Sequence, residues 1–110
     1  MEIQGNNIEA YVPSEPGRFR LSVVVGIGEK GSGGSNMFYM HVCSLSWIDE
    51  EISKRSRLFS RSTLILMAYN RQVIIDEIRR IVQTCQSNTW DGSVENLRRY
   101  FDWEYDNYTS

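Results

Sequence analysis

Histidine is nearly missing from this chain, cysteine is scarce, and neither sign of charge dominates. His41, Cys43 and Cys85 are the whole stock of His and Cys in 110 residues. A structural zinc site takes four nitrogen or sulfur ligands, and three are on offer. The cysteines lack the C-x-x-C spacing and fall within apolar-patterned stretches, which reads as two buried free thiols in a reducing compartment. The net charge of −2 leaves no basic excess to draw nucleic acid or an anionic membrane. No apolar run approaches the length of a membrane span, and residues 1–5 have neither the basic start nor the apolar stretch of a secretory leader. The expectation is a soluble cytoplasmic protein, for which the acceptor triplet Asn107-Tyr108-Thr109 is a coincidence.

What is present suits one globular domain over residues 1–110, with 41% hydrophobic and 24% charged residues. The strongest pattern runs from Arg71 to Ser87. Ile74, Ile75, Ile78, Ile81, Val82 and Cys85 form one dry stripe at helical spacing, behind the N-cap candidate Asn70. Such a helix needs a sheet to lie on. Phe19 to Ile27 alternates as a half-buried strand, and Asn36 to Ser44 reads as the next. The glycine-rich Gly28 to Ser35 joins them as a hairpin loop. Upstream, Ile8, Ala10 and Val12 alternate with Glu9 and Tyr11 as an edge strand, ended by Pro13, Pro16 and Gly17.

Downstream, Ser46 is placed to cap a short helix from Trp47 to about Lys54, with Asp49 at the capping-box position. Thr63 to Tyr69 is apolar on both faces and reads as a central strand. Thr89 caps a last helix, on which Trp90, Val94, Leu97 and Phe101 recur. The fold class is therefore α+β: an antiparallel sheet of about four strands, packed on one face by two C-terminal helices, with one short helix between strands.

Few motifs carry chemistry. Gly26-Ile27-Gly28-Glu29-Lys30-Gly31 spells G-x-G-x-x-G, but a dinucleotide site needs a helix to begin there, and a second strand follows instead. No cofactor is implied. His41 and Cys43 share a strand face, yet neighbours two apart point in parallel and no third group orients them. No nucleophile, base and orienter converge, so no enzyme is expected. Aromatic residues could stack single-stranded nucleic acid, but Tyr100, Phe101, Trp103, Tyr105 and Tyr108 sit among Asp102, Glu104 and Asp106, which repel phosphate.

The stretch Trp90-x6-Leu97-x-Arg99-Tyr100-Phe101-x-Trp103-Glu104-Tyr105-Asp106-x-Tyr108 resembles the ending of the immunity protein 8 family. Upstream, Phe19, Ile27-Gly28, Phe38-x3-Val42-Cys43-Ser44-x2-Trp47, Tyr69 and Cys85 fit the same family, so the resemblance spans about Phe19 to Tyr108. The sequence departs from that pattern at Ser46, where a proline is expected, and at Asn70, where an aspartate is expected.

The resemblance implies an immunity protein of a bacterial polymorphic or contact-dependent toxin system. Such a protein neutralises a cognate toxin by tight stoichiometric binding in the producing cell. An acidic module would be steered electrostatically to a basic nuclease toxin. The acidic–aromatic clustering nominates Asp91, Glu95, Asp102, Glu104, Tyr105, Asp106 and Tyr108 as toxin-binding residues, with the loop Glu29 to Asn36 as a second candidate. Trp103 and Tyr105 could instead serve as core. The rival reading is a non-enzymatic intracellular protein-binding or regulatory domain unrelated to toxins.

Overall fold

The computed structural model describes residues 1–8, 12–31, 33–58 and 60–106. In chain order its elements are β1 (Glu2–Asn6), β2 (Arg20–Gly28), β3 (Asn36–Ser44), α1 (Leu45–Arg55), β4 (Thr63–Leu66), α2 (Arg71–Cys85), α3 (Trp90–Leu97) and β5 (Asp102–Trp103). The fold is α+β, with a sheet ordered β1-β2-β3-β4 and β5 also pairing with β3.

The β2–β3 hairpin is the frame. Its register sets Leu21 opposite Val42, Val23 opposite Met40 and Val25 opposite Phe38. Side chains alternate across a strand, so these six and Ile27 share one face, and all seven are buried. On that face lie Ile74, Ile78, Ile81, Val82 and Cys85 of α2, together with Val94 and Leu97 of α3 and Phe101 just beyond it. Phe38 and Phe101 meet edge to face at the centre, 6.1 Å between centroids. The expected stripe of α2 is thus the core stripe, with Ile75 at its partly buried margin. Asn70 caps α2 by accepting from the Val73 N–H, and Thr89 caps α3 by accepting from Gly92.

An edge strand is formed by Glu2–Asn6, and the one expected over Ile8 to Val12 falls mostly on residues 9–11, outside the described residues. Ile8 itself is buried as a core residue, with its N–H donated to the Asn6 side chain. Three expectations need correction. The cap of α1 is Ser44, whose Oγ accepts from the Trp47 N–H. Ser46 lies inside the helix and donates to the Gly17 carbonyl.

The other two corrections concern β4. It is a four-residue strand on the outer side of β3, not a central one. It runs parallel to β3, so the sheet is mixed, with its remaining pairs antiparallel. The reason is connectivity: α1 carries the chain back along β3, and a crossover of that kind returns the next strand parallel. β5 takes the rest of the same β3 edge, at Phe38 and Tyr39.

Candidate functional site

The opposite face of the sheet carries Arg20, Ser22 and Val24 of β2, Tyr39, His41 and Cys43 of β3, and Thr63 and Ile65 of β4, as the strand registers require. Among the described helices α1 lies over it, and α1 has no buried residue of its own. Between them is a hollow of about 470 Å³. Its floor is Arg20, His41, Cys43, Thr63 and Ile65; Trp47, Ile48 and Ile52 of α1 form one wall, and Leu58, Ser60, Arg61 and Ser62 form the other. Ile52 and Ile65 remain 42% and 50% exposed, so the apolar lining is open to solvent.

Arg20 is held in place within this hollow by its neighbours. Its guanidinium lies 5.5 Å from the Trp47 ring centroid and donates to His41 Nδ1 at 3.2 Å. An arginine can only donate, so Nδ1 is the accepting nitrogen; Ser22 Oγ lies at 3.2 Å from it as well. Among the described residues Arg20 makes no ion pair. The Cys43 thiol beside it is buried, and burial pushes its pKa up, with Arg20 opposing. A nucleophilic cysteine needs the reverse, and His41 turns its Nδ1 to Arg20 and Ser22.

The acidic positions singled out in the sequence are largely engaged within the fold, and one of them, Asp102, is bound to the far wall of this hollow. Asp102 Oδ1 pairs with Arg61 Nε at 3.1 Å and accepts from Ser62 Oγ at 3.1 Å. Asp106 pairs with Arg98 at 2.7 Å and accepts the Trp103 N–H, closing the turn after β5. Glu95 reaches the same Arg98 at 3.4 Å. Arg61, Glu95, Arg98, Arg99 and Asp106 border a second, open hollow of about 350 Å³. Three of the acids are thus brought together, but interleaved with arginines, so this surface is mixed rather than acidic. Glu104 instead accepts the Met37 N–H and returns its own N–H to the Met37 carbonyl. Asp91 stands apart, exposed in the first turn of α3.

Trp103 packs against the core edge and donates its indole N–H to Asn36 Oδ1. Tyr105 lies edge to face on it at 5.1 Å and is half exposed. Tyr108 lies outside the described residues, as does Ser32 in the hairpin loop.

Sequence reasoning missed the open-face hollow. The signal was there in Thr63 to Tyr69: apolar side chains on both faces were read as burial, whereas Ile65 is half exposed and Met67 77% exposed. Among the described residues no helix is long and apolar enough to cross a membrane. No group of three or more His, Cys, Asp or Glu side chains among them could hold a metal ion. No curated protein and no solved structure matches the chain. The family model described as Immunity protein 8 matches residues 1–108, nearly the whole length, and the chain belongs to that family.

Proposed function

We propose that this protein protects its producing cell by binding a cognate toxin domain stoichiometrically in the cytoplasm, as a non-enzymatic inhibitor within a polymorphic or contact-dependent toxin system. The observation that carries the reading is the family match over residues 1–108. The toxin-facing surface is assigned to the side where Glu95 of α3 and Asp106 of the β5 turn meet at Arg98. Glu95, Asp102, Glu104, Tyr105 and Asp106 belong to that side in this reading, and Asp91 and Tyr108 are added to it from the sequence pattern alone. Its support is the half-exposed Tyr105 and the row of exposed or half-exposed charges around it. A mixed rim of this kind sets register and encounter rate more than affinity. A basic nuclease is the toxin class it would steer most readily.

Co-expression tests the function. The chain is produced with the toxin domain encoded beside it, and survival is scored together with a one-to-one complex on a sizing column. Death despite soluble expression would refute the pairing and favour a regulatory binding domain. For the rim, Asp102, Glu104 and Asp106 are unsuitable for charge reversal because they hold β5 in place. Asp91→Lys with Glu95→Lys is the cleaner test. It should slow association several-fold at low salt and little at high salt; an unchanged rate at both would remove the rim from the interface.

A further inference from the structure

We propose that the hollow between α1 and the open sheet face is the anchor pocket for the toxin, taking a segment that presents a carboxylate beside an apolar side chain. This rests on the toxin-binding reading and specifies its chemistry. The chain has 14 acidic against 12 basic side chains, yet among the described residues the hollow is lined by two arginines, one histidine and no carboxylate. That inversion of sign is local and sits beside the apolar side chains Trp47, Ile48, Ile52, Leu58 and Ile65. Arg20 makes no ion pair among the described residues and is already fixed by Trp47 and His41. Little side-chain freedom is therefore left to lose when it receives a carboxylate. Arg61 faces the same space from the far wall, sharing its guanidinium with Asp102.

The rest of the lining asks for an apolar group. Ile52, Leu58 and Ile65 are each more than a third exposed around this one concavity, whereas isolated exposed apolar residues would need no explanation. A volume of about 470 Å³ is large enough to seat one or two side chains of a partner. A central pocket bordered by polar contacts that exclude water is where binding energy concentrates in tight complexes. Ser62 has φ of 52°, uncommon for a residue other than glycine. Its carbonyl accepts the His41 N–H at 2.8 Å and its hydroxyl holds Asp102, so the far wall is fixed from both sides.

The experiment is the Kd of the full chain for the catalytically inactivated toxin domain encoded beside it, by titration calorimetry. Arg20→Gln and Ile65→Asp change exposed positions within the hollow; Arg79→Glu, on the outer side of α2, is the control. Each hollow variant should bind about 30-fold or more weakly, and the control within about threefold of wild type. Thermal melts by circular dichroism accompany each variant. If Arg20→Gln melts early through loss of its Trp47 and His41 contacts, Ile65→Asp decides. Unchanged affinity in a folded Ile65→Asp, with wild type binding tightly, overturns the pocket and leaves the immunity reading standing. Failure of wild type itself to bind overturns both. Sedimentation of the chain alone supplies the remaining outcome: a homodimer dissolved by Ile65→Asp would make the hollow a self-interface and overturn the proposal.

Discussion

Ser44→Ala should damage this protein far more than the loss of one small hydroxyl suggests. Ser44 is fully buried where β3 turns into α1. Its Oγ accepts from the Phe19 N–H at 3.1 Å and from the Trp47 N–H at 3.2 Å. Ser46 gives its own proton to the Gly17 carbonyl, so the 3.1 Å contact between the two serines uses the Ser44 proton. One hydroxyl thus serves three partners and joins the entry of β2 to the start of α1. Loss of a helix cap costs about 1 kcal/mol. Stranding the buried Phe19 N–H adds about 1–3 kcal/mol. The sum is about 2–4 kcal/mol, or on the order of 10–25 °C in Tm for a chain of this size. The comparison that isolates the second contribution is Asn70→Ala, an exposed cap on α2 that water can replace, with an expected loss of about 1 kcal/mol. Urea denaturation of both variants, with unchanged slope, is the assay. A Ser44→Ala loss no larger than that of Asn70→Ala would refute the assignment of Phe19 to this hydroxyl.

Gly28→Ala brings a Cβ to 2.0 Å from the Gly34 carbonyl oxygen, a backbone atom with no room to retreat. It should destabilise by about 1–3 kcal/mol, whereas Gly5→Ala, with open space around it, should stay within about 0.5 kcal/mol in the same urea assay. Glu50 is held below the usual carboxylate range, by Lys54 first and then by Arg18, and Glu77 by Arg80. Lowered folded values stabilise above the unfolded pKa of about 4.3, and that contribution disappears as pH falls through the folded value. Glu50→Gln should therefore flatten the urea midpoint against pH below about 4.3; an unaltered acid limb would show the pairs to be inert. Cys85 is part of the core and burial raises its pKa, so a disulfide reagent at neutral pH should label it at the rate of global unfolding. Fast labelling of Cys85 in the native protein would contradict its burial.

How much was legible depended on whether a pattern was local. The α2 stripe from Ile74 to Cys85 and its Asn70 cap repeat at intervals set by the helix itself, so they survive intact from sequence to structure. The same holds for β3, bounded at Asn36 and Ser44. β4 failed because an apolar run carries no information about which neighbours cover it. Leu64 and Leu66 pack on the core, while Ile65 faces the hollow. The α1 cap slipped by two residues because Ser44 and Ser46 are both serines. Which one caps was decided by the distant Phe19 and Gly17, which claim one hydroxyl each. The acids of the last segment cluster in the sequence, but in the fold they are parted among different partners. Their partners Arg61 and Met37 come from far away in the chain, so their neutralisation could not be read from composition.

The placement of β5 has a consequence for timing. Phe38 and Tyr39 expose a bare strand edge until Trp103 and Asp102 arrive, more than sixty residues later in synthesis. A nascent chain still short of that point offers an unpaired edge to any neighbouring strand, and contacts of such long range close late in folding. The seal on the sheet therefore waits for Asp102 and Trp103, whatever else has folded by then. A copy of the chain still short of those residues leaves this edge open, so the sheet is whole only in copies synthesised past Trp103.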